Sequence, residues 1–173
     1  MILGLSAGFH DAGATLVDGR GNILFGGHSE RYSGVKNDAE LNWGLMNDAL
    51  SYGMPEQVAW YEKPLLKKTR QLYSGEWRKA LLEDVNPEYQ IERYFKERMR
   101  FWHYGHHQCH AAAGFQTSPY DSAICIVVDA IGEWDTITVW DASYNKKGKA
   151  KYKKLWSQKY PHSIGSVSYT HLT

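Results

Sequence analysis

Short apolar runs separated by glycine-rich turns open the chain and predict three antiparallel strands. The runs cover residues 2–7, 14–17 and 22–28, and the turns between them cover residues 8–13 and 18–21. Apolar runs of this length with tight turns between them are typical of a β-meander. A further apolar run at residues 57–62 is predicted to be a fourth strand that joins this sheet.

Helical spacing appears after the meander. Asp38 is predicted to cap a helix over residues 39–52, with Leu41, Leu45 and Ala49 on one face and Gly53 at its end. Residues 65–82 have a basic helical pattern that weakens at Ser74–Gly75. A further helix is predicted from residue 87 to about 100, followed by a brief strand at 101–104 and a small-residue helix at 111–116 led by histidines.

The last third returns to strand patterns. The run at 123–128 is rich in β-branched residues and too short for a helix, so it is predicted to be a buried strand. Strands at 136–142 and 152–160 follow, joined by a turn at 145–148. The strands at 123–129 and 136–142 are predicted to begin a second unit similar to the first.

Composition excludes several classes of protein. With 173 residues, 43% hydrophobic content and a net charge of +1, the chain has enough apolar residues for a core and too little positive charge for bulk nucleic-acid binding. No apolar run reaches the length that spans a membrane. Cys109 and Cys125 have no metal-type spacing and are interpreted as free thiols, which indicates a cytoplasmic protein.

The histidines at 106, 107 and 110 are the strongest chemical signal. His106 and His110 are four residues apart and would share one helix face, and Asp129 would follow at the end of the next strand. Two imidazoles and a carboxylate suit a divalent transition metal, above all Fe(II). Because position 107 is His rather than Glu, the metalloprotease motif is absent, and His107 is a reserve candidate as ligand. The alternatives are a phosphate site, or histidines that only satisfy a helix start.

The first turn is the second signal. His10 and Asp11 lie between Gly8 and Gly13, and glycine lets backbone N–H groups approach a phosphate closely. His10 and Asp11 could then act on a substrate hydroxyl or on metal-bound water. Lys36, among turn-forming residues, could neutralise a phosphate. The alternatives are an ordinary hairpin turn and a solvated surface lysine.

Taken together and in order, these motifs resemble a known family. The sequence combines Gly8-x-His10-Asp11-x-Gly13, Glu30-Arg31 with Lys36, His106-His107-x-x-His110-Ala111-Ala112 and Asp129-x-x-Gly132-Glu133. This pattern closely resembles the N-terminal region of the O-carbamoyltransferases of the nodulation-protein and antibiotic-biosynthesis type, over residues 1 to about 165. Ala130 departs from the family, which usually has Gly there.

The resemblance implies a fold and a reaction. The fold would be an α/β fold, the ribonuclease-H-like half of the actin and sugar-kinase ATPase superfamily, with a mixed sheet and flanking helices. Carbamate released from carbamoyl phosphate would react with ATP to give carbamoyl-adenylate. The carbamoyl group would then pass to the hydroxyl of a small-molecule acceptor, with neither a nucleic acid nor a membrane as partner.

The resemblance also implies roles for individual residues. The metal, an iron-type ion such as Fe(II), would be held by His106, His110 and Asp129. His10 would be the candidate general base and Lys36 would contact the adenylate or carbamoyl group, which makes both catalytic. Cofactor binding is predicted for Asp11, Gly13, Lys36, Gly132 and Glu133.

The resemblance further implies that the chain is incomplete. Residues 1–165 would form the N-terminal part of the ATPase-like domain, and residues 166–173 are predicted to be a non-native tail. A second lobe and a carbamoyl-phosphate domain would lie elsewhere, so this chain alone is predicted to be inactive. The alternatives are an actin-like sugar kinase or phosphohydrolase, which does not need the histidine motif, and a non-catalytic nucleotide-binding module.

Overall fold

The chain forms two units, each built around its own β-sheet. The computed structural model describes residues 1–82, 87–95 and 99–165. The first unit comprises Met1–Tyr61 and Glu83–His103, and the second comprises Glu62–Leu82 and Tyr104–Thr173. The predicted tail at 166–173 lies outside the described residues.

A five-stranded mixed sheet forms the first unit, in the order β3-β2-β1-β4-β5. Its strands are β1 (Ile2–Ser6), β2 (Gly13–Val17), β3 (Ile23–His28), β4 (Gln57–Trp60) and β5 (Arg100–His103). β1 pairs antiparallel with β2 and parallel with β4, and β5 extends the sheet parallel to β4. The predicted meander and the predicted fourth strand are confirmed.

The core of this unit includes one face of the sheet and one face of a helix. Alternate residues of β1, Leu3 and Leu5, are buried, and the helix α2 (Trp43–Ser51) buries Leu45 and Ala49, four residues apart, together with Met46. Period-two burial in the strand and a four-residue repeat in the helix are what a one-sided sheet–helix contact produces. The short helix α1 (Glu30–Ser33) precedes α2.

The start of α2 differs from the prediction. The helix is capped by Asn42, whose Oδ1 accepts a 2.7 Å hydrogen bond from the Gly44 N–H. The predicted cap at Asp38 is wrong because the backbone there is already engaged. The carbonyls of Asp38 and Ala39 accept hydrogen bonds from Ala12 and Gly8, so this segment supports the first turn.

The predicted helix from 87 to about 100 is shorter than expected. It is α5 (Pro87–Glu92), and Arg100 instead begins β5, where it pairs with Gln57 of β4. Residues 96–98 lie outside the described residues. Residue 100 is therefore in a strand rather than in the predicted helix, because pairing with β4 satisfies the backbone hydrogen-bonding groups of β5.

The second unit contains a three-stranded antiparallel sheet in the order β6-β7-β8. Its elements are α3 (Pro64–Tyr73), α4 (Trp77–Leu82), α6 (His106–Gln116), β6 (Ser122–Gly132), β7 (Asp135–Tyr144) and β8 (Ala150–Lys159). The predicted break between α3 and α4 is confirmed at Gly75, whose φ is +80°. The strands predicted at 123–129, 136–142 and 152–160 are confirmed as β6, β7 and β8.

The sheet of the second unit is covered on one face in the described part of the chain. Ala111 on α6 packs against Val127 and Trp140. On the opposite face, Ile124, Ile126 and Val128 are 59%, 67% and 55% exposed. The prediction of a buried strand at 123–128 is therefore wrong for every second residue, because α6 covers only the face that carries Val127. Within the described ranges, no helix is long and apolar enough to cross a membrane.

Candidate functional site

Three predicted ligands meet in the second unit. His106 and His110 lie one turn apart on α6, and their Nε2 atoms are 3.0 Å apart. Asp129, near the end of β6, has its Oδ2 2.9 Å from His106 Nε2 and 4.0 Å from His110 Nε2. Across the part of the chain that is described, these three residues form a group whose ligand atoms lie within 4.8 Å of one another.

The electrostatics of Asp129 and His110 favour the protonation states that bind metal. The hydrogen bond with His106 lowers the pKa of Asp129 to about 2, against the opposing effect of burial. Burial, and then the nearby His106, lower the pKa of His110. At neutral pH the group therefore offers an ionised carboxylate and a neutral His110 imidazole, which are the forms that a divalent cation requires.

Backbone contacts fix the position of Asp129. Its Oδ1 accepts a 2.6 Å hydrogen bond from the Ala130 N–H. The Ser163 hydroxyl donates to the carbonyls of Asp129 and Ala130, at 3.2 and 2.7 Å. Gly165 lies so close to the Asp129 carbonyl that a Cβ at position 165 would collide with it. The segment after β8 thus contacts the backbone of Asp129 and Ala130 and thereby fixes the position of the Asp129 side chain.

Gly132 packs against the histidines. A Cβ at this position would lie 2.5 Å from Cδ2 of His106 and 2.6 Å from Cδ2 of His107. Both distances are well below an ordinary carbon–carbon contact, so the absence of a side chain lets the two rings approach the end of β6. Gly132 therefore has a packing role that the sequence pattern did not reveal.

Glu133 holds the N-terminus of α6. Its φ is +58°, and its Oε1 accepts a 2.6 Å hydrogen bond from the Lys63 N–H. The carboxylate is also hydrogen-bonded by the backbone N–H of His106, although burial raises its pKa overall. The N-cap residue, Gly105, has no side chain to perform this function. A carboxylate from the β6–β7 turn thus takes the place of a local cap.

His107 lies outside the group formed by His106, His110 and Asp129, here called the metal group, and belongs to a buried network. Its Nδ1 lies 2.9 Å from Thr138 Oγ1, which also accepts a 2.7 Å hydrogen bond from Trp140 Nε1. Burial lowers the pKa of His107 to about 4, so the ring is neutral at neutral pH. Its Nε2 is buried, and no described residue bonds to it. His107, the reserve ligand, is not part of the group formed by the other three residues.

A cavity of about 360 Å³ adjoins this network. The first turn of α6 lines it, together with Trp134, Trp140 and three lysines, Lys63, Lys154 and Lys159. Lys154 forms a 2.5 Å ion pair with Asp135 and lies over the Trp140 ring, 5.3 Å from its centroid. The cavity therefore combines aromatic walls with positive charge.

The remaining predicted residues lie in the first unit. His10 Nδ1 is 2.8 Å from Asp11 Oδ2, and Asp11 has a positive φ of +50°. Gly13 begins β2, and a Cβ there would meet the Gly27 carbonyl oxygen at 3.2 Å. Lys36 is exposed in the turn that follows α1, next to Asn37, whose N–H donates to Glu30. The structure thus brings His10 and Asp11 into contact and leaves Lys36 accessible.

Sequence reasoning missed Thr138, Trp140 and Ser163. Thr136, Thr138 and Trp140 alternate along β7 and are all buried. The alternation of threonines with apolar residues in the sequence of this strand could have indicated that Thr138 is buried. Threonine on such a face needs a hydrogen-bond partner. No comparable signal marks Ser163, whose partners are backbone carbonyls 33 and 34 residues earlier in the chain.

The fold and the site together define the class of this protein. It is an α/β protein with a candidate metal centre made of two histidines and an aspartate. The chain belongs to the carbamoyltransferase N-terminus family, whose pattern matches residues 56–173. It is also 28% identical to an uncharacterized protein of Synechocystis sp. (strain ATCC 27184 / PCC 6803 / Kazusa), over 95% of this chain. The chain spans about 30% of the length of that relative.

Proposed function

We propose that this chain is the N-terminal part of an ATP-dependent O-carbamoyltransferase. The complete protein would form carbamoyl-adenylate at the metal centre and pass the carbamoyl group to a hydroxyl of a small molecule. The observation that carries the proposal is the grouping of His106, His110 and Asp129 in a member of the carbamoyltransferase N-terminus family. The sheet order β3-β2-β1-β4-β5, with parallel β1, β4 and β5, supports a ribonuclease-H-like fold of the actin and sugar-kinase superfamily.

The donor set fits a divalent first-row metal, with Fe(II) as the proposed ion. Two imidazole nitrogens and one carboxylate leave positions open for other ligands. Adjacent ligands that share one ion at about 2.1 Å stand about 3 Å apart. The separations of 2.9 and 3.0 Å around His106 Nε2 are in that range. When bound, the metal would neutralise the charge of phosphate oxygens.

His10 is proposed as the general base that accepts the proton of the acceptor hydroxyl. The Asp11 carboxylate accepts a hydrogen bond from the Nδ1–H of His10, so Nε2 is left as the basic nitrogen. This arrangement orients the ring. Lys36 would supply a positive charge for the adenylate or carbamoyl group. The proposed nucleotide contacts are Asp11 and Gly13, near His10, and Gly132 and Glu133.

The proposal is tested in the full-length protein by metal content and by pyrophosphate release. With ATP, carbamoyl phosphate and Fe(II), the wild-type protein should release pyrophosphate only when all three are present. His106→Ala should lose the bound metal and the pyrophosphate release, because it removes the ligand that contacts both Asp129 and His110. His162→Ala is the matched control, since His162 is an exposed histidine of the same unit.

Each contrary result has a defined meaning. Unchanged metal content in His106→Ala would exclude this residue as a ligand. ATP turnover that does not depend on carbamoyl phosphate would favour a sugar kinase or phosphohydrolase. The 173-residue chain alone should show no pyrophosphate release, because positioning of the reactants can contribute roughly 7–11 kcal/mol and the proposed second lobe is needed for it. Turnover by the chain alone would refute that division of labour.

A further inference from the structure

The exposed face of β6 is part of an apolar surface that crosses all three strands of the second sheet. Ile124, Ile126 and Val128 are each more than half exposed on this face. In the register of the sheet, Ile126 lies opposite Val139 of β7, and Val139 lies opposite Trp156 of β8, which is also more than half exposed. Directly opposite residues of paired strands share a face, so these side chains form one apolar patch. A patch of this kind marks a surface that contacts another segment or molecule.

The two edges of this sheet differ in how they are protected. β8 carries four lysines, Lys151, Lys153, Lys154 and Lys159, and lysine on an edge strand opposes pairing with a further strand. β6 carries neither lysine nor arginine, and its one acidic residue, Asp129, lies near its end. Residues 122–128 thus form an edge without a charged side chain. β8 is therefore protected as an edge strand, and β6 is not.

The composition of β6 is that of a strand inside a sheet. Cys125 and Val127 lie on the face that α6 covers, and Ile126 and Val128 lie on the other face, so the strand is apolar on both sides. Strands with one solvated face usually alternate apolar and polar residues, whereas strands covered on both faces are apolar throughout. β6 therefore has the composition of a central strand and the position of an edge strand.

The first sheet shows which kind of element occupies the corresponding edge. There β1 begins the antiparallel set β1-β2-β3, and the other edge of β1 pairs in parallel with β4, from Ile2 opposite Gln57 to Leu5 opposite Trp60. In the second sheet, β6 begins the antiparallel set β6-β7-β8 in the same order. The free edge of β6 thus corresponds to the edge of β1 that β4 fills. The described residues of the second unit contain no counterpart of β4.

We propose that a later part of the full-length polypeptide, beyond residue 173, completes the free edge and the apolar face of β6. One strand of that part would pair in parallel with β6, and one apolar helix face would cover Ile124, Ile126 and Val128. The chain spans about 30% of the length of its Synechocystis relative, so most of such a protein lies outside the matched segment and can supply both elements. A second copy paired through β6 would fill the edge but leave the apolar face uncovered. This assignment rests on the proposal that the chain is the N-terminal part of a longer protein, and it is independent of the carbamoyl-transfer reaction.

Photo-crosslinking in the full-length protein identifies what covers the face. Ile126→p-benzoylphenylalanine places a crosslinker in the apolar patch, and peptide mass spectrometry after irradiation locates the residues to which it bonds. The expected product is a monomer in which position 126 is joined to a peptide beyond residue 173. Ile23→p-benzoylphenylalanine is the matched control, because Ile23 is an isoleucine of nearly equal exposure, 65% against 67%, on an edge strand of the first sheet. The control should give none of this product.

Hydrogen exchange tests the pairing of the strand separately. In an edge strand, about every second backbone N–H points away from the neighbouring strand and has no partner there. In the full-length protein, β8 should therefore keep a set of fast-exchanging amides, while all amides of residues 123–128 should exchange at least about 100-fold more slowly than that set. Ile126→Lys should restore fast exchange in β6 because it places a charge on the covered face, and Ile23→Lys should not. The comparison of β6 with β8 in the wild-type protein does not depend on the folding of either variant.

Three results would overturn the proposal. The first is the absence of any crosslink from position 126 to a residue beyond 173. The second is a crosslinked dimer as the main product, together with protection of β6 that falls on dilution, which would show that a second copy covers the strand. The third is exchange in β6 as fast as in β8. A full-length protein that gives the expected crosslink and protection but transfers no carbamoyl group would refute the proposed function alone.

Discussion

Substitution of Gly132 by alanine tests whether the end of β6 positions the histidines. The added Cβ would lie 2.5 Å from His106 Cδ2 and 2.6 Å from His107 Cδ2, where ordinary contact begins at 3.4 Å. The His106 ring would have to move by about 0.9 Å and the His107 ring by about 0.8 Å to reach 3.4 Å. The backbone itself tolerates alanine, because the φ of Gly132 is not in the left-handed region.

The cost follows from how firmly both rings are held. His106 is bonded to Asp129 and His107 to Thr138, at 2.9 Å in each case, so neither ring moves without weakening a hydrogen bond. Overpacking of this kind costs about 1–3 kcal/mol. Because His106 is also the central member of the metal group, Gly132→Ala should lower metal affinity about 10–100-fold, as loss of a supporting contact does at other metal sites.

Gly114 provides the matched control. It lies on the same helix as the histidines, is exposed, and has no atom within 4 Å of the position that a Cβ would take. Gly114→Ala should therefore stabilise α6 by about 0.5–1 kcal/mol, since alanine is the better helix former. Its metal affinity should equal that of the wild-type chain.

Two measurements decide the prediction. Amide hydrogen exchange of α6 and β6 gives the local free energy of opening in each variant. Titration with Co(II), followed by its visible absorption, gives the metal affinity. The reasoning is refuted if Gly132→Ala matches Gly114→Ala in both stability and metal affinity, because the two histidine rings would then have room that the structure does not show.

Two further predictions concern the buried network. The pKa of His107 lies at about 4 in the folded chain, below the usual 6.5, so the unfolded chain binds more protons between these values. The free energy of unfolding should therefore be fully present above pH 6.5 and fall by up to about 3 kcal/mol as the pH drops to 4. His107→Phe should remove that part of the pH dependence in urea titrations, and an unchanged profile would contradict it. Thr138→Val should cost about 2–4 kcal/mol, because it leaves His107 Nδ1 and Trp140 Nε1 without a partner, while Thr138→Ser should cost less than about 1 kcal/mol. A loss in Thr138→Ser as large as or larger than the loss in Thr138→Val, measured by urea titration, would contradict the assignment of the cost to the hydroxyl.

Local sequence patterns predicted the features that depend on neighbouring residues. The first meander follows from apolar runs with turn residues between them, and the shared face of His106 and His110 follows from their four-residue spacing. Asp129 could be placed near them because it follows an apolar strand. These features need only the period of a helix or a strand.

Features that depend on distant residues could not be predicted. Asp38 looks like a helix cap, but its carbonyl is hydrogen-bonded by Ala12, so the helix begins after Asn42. Glu133 was expected at a nucleotide, and the structure shows its carboxylate on the backbone of Lys63, 70 residues earlier. The exposed face of β6 was also missed, because an apolar run does not reveal how many of its sides are covered.

The hydrogen bonds from Ser163 to the backbone at Asp129 and Ala130 have a consequence for the synthesis of this protein. His106, His110 and Asp129 leave the ribosome within 24 residues of one another, but Ser163 follows Asp129 by 34 residues. A nascent chain that ends before this point carries the three candidate ligands without the contact that fixes the aspartate. If these residues bind metal as proposed, a nascent chain should bind it only weakly until β7, β8 and the segment after them have emerged.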